Sequence, residues 1–160
     1  MIFITLGSQK FQFNRLLKAI DQLVELGTIT EEVFAQIGYS DYKPQNYRFK
    51  QFLDREEFAS MTAKSDIVIT HGGTGAIIGA VKKGKKVIAV PRLAKYGEHV
   101  DNHQLQIIEQ FQELNLIYEC QDCEQLGEAL QNVKNIKFDV YISNTQKIID
   151  DINSFLEVQN

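Results

Sequence analysis

The chain has 160 residues, of which 44% are hydrophobic and 24% are charged, and its formal net charge at pH 7 is −4. This length and composition are typical of one soluble globular domain with a hydrophobic core. The negative charge and the lack of a dense Lys/Arg tract argue against a nucleic-acid-binding protein, and no apolar run is long enough to span a bilayer.

The hydrophobic pattern alternates short apolar runs with segments of helical spacing. In chain order it predicts a strand over 2–6, a helix over 13–26, strands over 33–38 and 47–52, and a short helix after an N-cap at Asp54. It then predicts a strand over 67–70, a helix over 76–83, a strand over 87–90, a helix over 98–114, a strand over 116–118, and helices over 126–133 and 143–156.

Strands that alternate with helices predict a single α/β, Rossmann-like domain over residues 1–160, with a parallel sheet covered by helices on both faces. In such a sheet the ligand lies outside the carboxyl ends of the strands, near the point where the strand order reverses. Three polar turns fall at that edge, at 7–9, 71–75 and 91–104. We expect them to converge on one crevice.

The turn His71–Gly75 is the most informative stretch, because three of its five residues are glycine and it joins a β-branched strand to a helix. Glycine lets a ligand approach the backbone closely, and the free N–H groups of a helix start favour an anion such as phosphate. The hydroxyl of Thr74 and the imidazole of His71 add donors for a diphosphate. Such turns also occur as plain connections, and this one is neither a Walker A loop nor a GxGxxG fingerprint, so both interpretations stay open.

The third turn ends in a polar helix start. Asp101 and Gln104 are three residues apart, so on one helix face their carboxylate and amide could bind sugar hydroxyls. The alternative is that Asp101 and Asn102 cap the helix. His99 and His103 have the spacing of half a metal site, but no third ligand is obvious and we expect no metal.

Two further motifs have ordinary explanations. Cys120 and Cys123 have the spacing of a redox pair or half a zinc site, but without a second pair we expect plain thiols in a reducing compartment. Cations at a helix C-terminus explain the lysine cluster at 82–86, and contact with anionic lipid or a partner is the alternative. The first residues lack the basic and apolar regions of a signal peptide, so we expect a cytoplasmic protein.

Taken together, the segments Ile2–Ser8, Ser65–Gly75, Gly84–Pro91 and Asp101–Gln104 resemble the C-terminal, donor-nucleotide half of GT-B glycosyltransferases of family 28. The likeness covers nearly the whole chain. It is strongest to the stand-alone catalytic subunit of the two-subunit UDP-GlcNAc transferase that extends dolichol-linked sugar, and to its homologues in bacterial exopolysaccharide and capsule synthesis.

The resemblance implies a donor site made of several groups. The diphosphate would be bound by His71, Gly73, Thr74 and Gly75, with Gly7 and Ser8 facing it. The main chain of Phe52 and Leu53 would meet the uracil, and the donor sugar or ribose would be faced by Asp101, His103 and Gln104. In relatives an acidic residue in the helix after the glycine turn holds the ribose hydroxyls. That position is Gly79 here, so we expect weak nucleotide binding or ribose contacts from elsewhere.

A second, acceptor-binding half has no room in 160 residues, so the resemblance implies a separate, membrane-associated partner with the acceptor site. Inverting transfer needs a base for the acceptor hydroxyl and fixed donors for the departing diphosphate. His71 and His99 are candidates for the base, although His71 is better placed as a phosphate donor. Enzymes of this kind do not rely on a bound metal, and no cofactor is expected.

The leading hypothesis is a donor-binding, catalytic subunit of a heteromeric hexosyltransferase, recruited by its partner to the inner face of the membrane. It would move a sugar from a UDP-sugar to a polyprenyl-diphosphate-linked sugar in exopolysaccharide or capsule biosynthesis. The alternative is a non-catalytic activating or stabilising subunit, which Gly79 favours. A third hypothesis is a generic nucleotide-binding module, which would not select UDP over ADP.

Overall fold

The computed structural model describes residues 1–142 and 147–154 and contains a six-stranded parallel sheet, as the sequence predicts. The strands are β1 (Ile2–Thr5), β2 (Val33–Gln36), β3 (Arg48–Lys50), β4 (Ile67–Thr70), β5 (Lys86–Ala89) and β6 (Tyr118–Glu119). Their order is β3-β2-β1-β4-β5-β6, which is the order of doubly wound nucleotide-binding folds. Every residue of β1, β2 and β4 is buried, as expected for central strands with helices on both faces.

Within residues 1–142, four helices and one 3-10 turn lie between strands, and a second 3-10 turn and a fifth helix follow β6. The helices are α1 (Asn14–Glu25), α2 (Arg55–Lys64), α3 (Thr74–Lys82), α4 (His103–Glu113) and α5 (Leu126–Val133). The 3-10 turns are Ala94–Tyr96 and Cys123–Gln125. The predicted capping box of α2 is confirmed, because Asp54 accepts from the Glu57 N–H while Glu57 accepts from the Asp54 N–H. Of the helix predicted over 143–156, residues 147–154 are helical and the others lie outside the described residues.

The hydrophobic core forms two clusters, one on each face of the sheet. One cluster joins β1, β2 and β4 to α1 and α5. The other joins β4 and β5 to α3, α4 and Ile149. Phe3 and Val68 are register partners on this second face, and the ring of Phe58 in α2 meets Phe3 edge-on with centroids 5.3 Å apart. The prediction of helices on both faces is therefore confirmed.

Several boundaries differ from the sequence prediction by one to five residues, and two of these differences have identifiable reasons. The fourth helix begins at His103 instead of Glu98, because Gly97 turns the chain with φ +67° and Glu98 points inward to Arg15. The last strand begins at Tyr118 instead of Leu116, because Leu116 is buried against the end of α4 before strand pairing starts. The first change depends on Arg15, 83 residues away in the chain, whereas the second comes from a local contact with α4.

The loop between β2 and β3 is held by Asp21 of α1. Its carboxylate accepts hydrogen bonds from the Tyr42 hydroxyl at 2.6 Å, the Gln45 N–H at 2.9 Å and the Asn46 N–H at 2.8 Å. Burial opposes ionisation, but these bonds favour it more strongly and lower the pKa of the Asp21 carboxyl. These hydrogen bonds hold the segment before β3 in place. They therefore also help to position the loop that follows β3. Within the described ranges we find no helix long and apolar enough to cross a bilayer.

Candidate functional site

The strand order reverses between β1 and β4, so the turns that follow these two strands flank a crevice at the carboxyl edge of the sheet. Gly7 follows β1 with φ +73°, and Gly38 follows β2 with φ +58°. A Cβ on Gly38 would lie 2.9 Å from the carbonyl oxygen of Gly7, so the two turns are in backbone contact. Glycine at both positions lets them pass at this distance.

His71 fills the space between the β1 turn and the start of α3. A Cβ on Gly7 would lie 2.7 Å from the His71 Nε2, and a Cβ on Gly73 would lie 2.2 Å from its Cε1. Neither position has room for a side chain while the imidazole stays where it is. The predicted residues Gly7, His71 and Gly73 therefore form one packed unit, with His71 only 5% exposed.

Gln104 of α4 fixes the orientation of this histidine. Its Oε1 accepts from the Gly72 N–H and from the Arg92 N–H, both at 3.0 Å. Because the oxygen is committed to two backbone donors, the amide nitrogen faces His71 Nδ1 at 3.3 Å. An amide nitrogen can only donate, so Nδ1 is the acceptor and the imidazole proton is on Nε2, the atom beside Gly7. Gln104 was predicted to face the sugar, and in this structure it positions His71.

The imidazole of His71 is neutral at physiological pH. Burial lowers its pKa to about 3, and electrostatic interactions with Arg92 and His99 add to the shift. A neutral ring with its proton on Nε2 is a hydrogen-bond donor without charge. Such a low pKa also makes the imidazole a weak base. His71 is therefore better suited to donate a hydrogen bond to a ligand than to abstract a proton.

The N-terminus of α3 is open. Its N-cap, Gly73, makes no side-chain cap bond, Gly73 and Thr74 are half-buried, and Gly75 is exposed. The first N–H groups of a helix have no partner within the helix and carry a partial positive charge. The Thr74 hydroxyl donates to the Asn153 Oδ1 at 3.4 Å. The N–H groups of the helix start can offer several donors to an anion.

Arg92 lies beneath the crevice, and the sequence analysis did not single it out. It is 1% exposed and donates to the carbonyl oxygens of Leu6 at 2.9 Å and Phe11 at 3.3 Å. Its Nε and the other terminal nitrogen are buried without a hydrogen-bond partner among the described residues. Burial lowers the pKa of Arg92 to about 10, so the guanidinium remains charged at neutral pH. A fixed positive charge thus lies next to the β1 turn.

Glu98 supplies the compensating charge for this region. It is 1% exposed and accepts from Arg15 at 3.0 Å and from the Leu93 N–H at 3.0 Å. The sequence analysis treated it as part of a polar helix start, which is wrong, because an inward turn before α4 buries it. No signal in its own sequence neighbourhood reveals a partner 83 residues away.

Because α4 begins at His103, Asp101 and Gln104 do not share a helix face as predicted. Asp101 Oδ1 accepts from the His103 N–H at 2.9 Å, which favours the capping alternative for Asp101. Asn102, the N-cap, makes no side-chain cap bond. His99 packs on Phe11 with ring centroids 4.8 Å apart. No group of three His, Cys, Asp or Glu side chains comes together as a metal site within residues 1–142 and 147–154.

The loop after β3 lies at the same carboxyl edge of the sheet, on the other side of the crevice. The Leu53 N–H donates to the Gln36 Oε1 at 2.9 Å, so this backbone donor, predicted to meet a uracil, is engaged. Phe52 is 39% exposed and meets the exposed ring of Tyr39 edge-on at 5.3 Å. Tyr39 was not among the predicted site residues. Ser8, which was, is exposed in the β1 turn.

Gly79 lies one turn further along α3 than Gly75. It is exposed, and a Cβ built there meets nothing within 4 Å. It lines a cavity of about 290 Å³ between α2 and α3, whose walls include Phe3, Phe58 and Gly75. An acidic side chain would therefore fit at this position.

The two cysteines are free and buried. Burial raises the thiol pKa to about 12 for Cys120 and to about 11 for Cys123. Thiols that stay protonated at neutral pH are poor nucleophiles and poor metal ligands. This agrees with the prediction that they are plain thiols near a strand end.

Comparison with known protein families shows to which family the chain belongs. Residues 1–152 match the glycosyltransferase family 28 C-terminal domain. The chain belongs to this family. The match confirms the resemblance inferred from the sequence motifs.

Relatives in this family are similar over part of their length. The chain is 35% identical over 75 residues to the UDP-N-acetylglucosamine transferase subunit ALG13 of Candida albicans, a match that covers 46% of this chain and 24% of that protein. The Homo sapiens protein of the same name is 25% identical over 126 residues, covering 74% of this chain and 11% of that protein. The matched region is thus about a quarter of the Candida albicans protein and about a tenth of the Homo sapiens protein.

Solved structures show that the fold is shared. The glycotransferase of kitacinnamycin has a TM-score of 0.60 and 16% identity, covering 98% of this chain and 39% of that one. The solution structure of ALG13 has a TM-score of 0.58 and 18% identity, covering 87% of both chains. MurG of Acinetobacter baumannii has a TM-score of 0.57 and 17% identity, covering 94% and 49%.

The packing of His71 against glycine predicts different outcomes for two alanine substitutions. Gly73→Ala should lower the free energy of unfolding by about 1–3 kcal/mol, because the new Cβ displaces the imidazole. Gly75→Ala adds the same methyl group to α3 in open space and should leave stability equal or raise it by up to about 1 kcal/mol. Urea unfolding measures both, and equal effects would contradict the packed unit.

The buried state of His71 predicts its titration. The folded pKa of about 3 lies below the ordinary value of 6.5, so between these pH values the unfolded chain binds a proton that the folded chain does not. Stability should therefore fall as the pH drops through this window, and His71→Gln should flatten that dependence. In NMR spectra the His71 ring signals should stay constant from neutral pH to about pH 5. A midpoint near 6.5 would overturn the assignment.

Proposed function

We propose that this chain is the donor-binding, catalytic subunit of a heteromeric glycosyltransferase. It takes a sugar from a UDP-sugar and transfers it to a polyprenyl-diphosphate-linked sugar in exopolysaccharide or capsule biosynthesis. Family membership supports sugar transfer. The UDP-sugar is supported by the relatives, which are named UDP-N-acetylglucosamine transferase subunits.

The observation that carries the proposal is the open N-terminus of α3, set in a crevice beside the buried positive charge of Arg92. The helix start has no side-chain cap, Arg92 is charged and buried behind the β1 turn, and His71 directs an N–H toward Gly7. A diphosphate carries negative charge on several oxygens and needs donors from several directions. Gly75 faces open space and leaves room for the diphosphate to approach the helix start.

In this proposal the diphosphate is bound by the N–H groups of Gly73, Thr74 and Gly75, with His71, Gly7 and Ser8 on the opposite side. The uracil lies at the loop of Phe52 and Leu53, where Phe52 and Tyr39 offer exposed rings. Asp101 and His103 face the sugar or ribose. Gln104 acts through His71, which it orients.

The transfer step needs little chemistry from this chain. The acceptor hydroxyl attacks the anomeric carbon, the bond to the diphosphate breaks, and UDP leaves with the electron pair. Donors fixed before the reaction stabilise the charge that develops on the diphosphate. The proton of the acceptor hydroxyl goes to a general base, for which the partner is the better source, since His71 is buried and weakly basic. We propose that no metal takes part.

We propose that a membrane-associated partner supplies the acceptor site. The relatives are named as subunits, and this chain covers only 39% of the kitacinnamycin glycotransferase and 49% of MurG. Residues 1–152 correspond to the C-terminal domain of the family. A cytoplasmic complex at the inner face of the membrane would bring the UDP-sugar and the lipid-linked acceptor together.

The test is calorimetric titration of the isolated chain with UDP, a panel of UDP-sugars and ADP, with a chelator present. We expect UDP to bind selectively without metal, and His71→Ala to weaken it by about tenfold or more, the loss of one hydrogen bond to a charged group. Thermal unfolding of His71→Ala serves as the control for folding. Equal binding of UDP and ADP would favour a generic nucleotide-binding module, and unchanged activity of His71→Ala with the partner would contradict the diphosphate assignment.

Gly79 separates the catalytic hypothesis from that of an activating subunit. If the nucleotide occupies the proposed site, Gly79→Glu should tighten UDP binding by about tenfold, because a carboxylate gains hydrogen bonds to the ribose hydroxyls. Gly79→Gln adds similar bulk without charge and should improve binding less. No UDP binding by either variant or by the native chain at millimolar ligand, with or without the partner, would favour the non-catalytic subunit.

A further inference from the structure

A second cavity lies at the opposite edge of the sheet from the donor crevice. It measures about 500 Å³ and is formed by the C-terminus of α3, the start of β5 and residues 134–141. Five lysines line it: Lys82, Lys85, Lys86, Lys134 and Lys137. Asp139 is the only acidic residue among the described residues that line it, in a chain whose net charge is −4. We call this region, with Val140, Tyr141 and Ile142, the basic patch.

Part of this charge has a structural role. Lys86 Nζ donates to the carbonyl oxygens of Val133, Lys134 and Ile136 at 2.8–3.1 Å and so closes the end of α5. Lys85 Nζ donates to the Ala63 carbonyl at 3.0 Å near the end of α2. The predicted position at a helix C-terminus is confirmed for Lys82, in the last turn of α3, whereas Lys85 and Lys86 contact the ends of α2 and α5. The positive charges of Lys85 and Lys86 still contribute to the local potential.

Lys134 pairs with Glu31 at 2.6 Å, and the other two lysines and their apolar neighbours face solvent. Lys82 and Lys137 are exposed, and Lys82 Nζ lies 5.2 Å from the centre of the Tyr141 ring. Val140 is 80% exposed and Ile142 is 54% exposed, and they follow Lys137 in the chain by three and five residues. Two branched apolar side chains next to exposed cations are unfavourable in water but match the interface of a bilayer, where apolar groups enter and cations meet phosphates.

We propose that the basic patch docks this chain on an anionic lipid bilayer. Lys82 and Lys137 contact the headgroup phosphates, and Val140 and Ile142 enter the interface between headgroups and acyl chains. Each lysine near an anionic surface contributes about a fivefold increase in binding. The rest of the negatively charged molecule is repelled from such a surface, so the patch would orient the chain as well as attract it.

This orientation leaves the donor crevice uncovered. The patch includes the C-terminus of α3 and the crevice its N-terminus, and a nine-residue helix separates them by roughly 13 Å. A bilayer on the patch would not compete with a nucleotide or with a partner at the carboxyl edge. Docking of the basic patch on a bilayer is therefore independent of sugar transfer and additional to the proposed function.

The test is co-sedimentation of the full chain with vesicles of phosphatidylcholine alone or mixed with phosphatidylglycerol. We expect binding only to the mixed vesicles, weakened by salt, because ions screen the lysines. Lys82→Glu combined with Lys137→Glu should reduce binding by about tenfold or more. Val140→Ser combined with Ile142→Ser should also reduce it while leaving the charge unchanged.

The matched control is Lys18→Glu combined with Lys43→Glu. Both lysines are exposed and lie over aromatic rings, Tyr42 at 5.6 Å and Phe49 at 5.8 Å, and the pair lowers the net charge by the same amount. The control should bind vesicles like the native chain. No binding by the native chain, or equal loss in the control, would overturn the proposal. UDP titration of the patch variants should be unchanged, which separates this result from any failure of the proposed function.

Discussion

The amide group of Gln104 is the contact on which the candidate site depends. It joins three segments that are far apart in sequence: its oxygen binds the backbone after β4 and after β5, and its nitrogen binds His71. Removing it would leave two buried N–H groups without an acceptor, which is more costly than losing an exposed hydrogen bond. The crevice therefore has its shape before any ligand arrives, and such preorganisation is what a site for a charged diphosphate requires.

The positive character of this site rests on groups that do not titrate near neutral pH. His71 is neutral, Arg92 is permanently charged, and the partial charge of the α3 N-terminus is a property of the backbone. Burying Arg92 with two nitrogens unpartnered is unfavourable in itself, since each buried donor without an acceptor costs about 1–3 kcal/mol. A structure that keeps such a cost beside an open helix start is consistent with a ligand that carries negative charge.

The sequence alone was sufficient to predict those elements whose bounds depend on the local pattern of residues. Strand β4 and helix α5 have the predicted bounds, because a β-branched run and an amphipathic repeat specify them without outside help. The glycine turn was recognised for the same reason, since close backbone approach requires glycine wherever it occurs. Glu98 shows the limit, because its burial depends on Arg15, far away in the chain. The role of Gln104 had the same limit, because helical spacing cannot show which backbone groups a side chain will meet.

Helix α3 links the two edges of the domain, and its dipole explains why opposite charges suit each end. Its N-terminus carries partial positive charge and faces the crevice, while its C-terminus carries partial negative charge and ends at Lys82, with Lys83 as the C-cap. The explanation of the lysines as helix-end cations and their proposed contact with lipid phosphates are therefore compatible. A cation stabilises a helix end through the nearby carbonyl groups while its exposed ammonium remains available to a second anion. The helix dipole does not explain the exposure of Val140. The apolar side chains therefore support docking on a membrane as much as the charges of the lysines do.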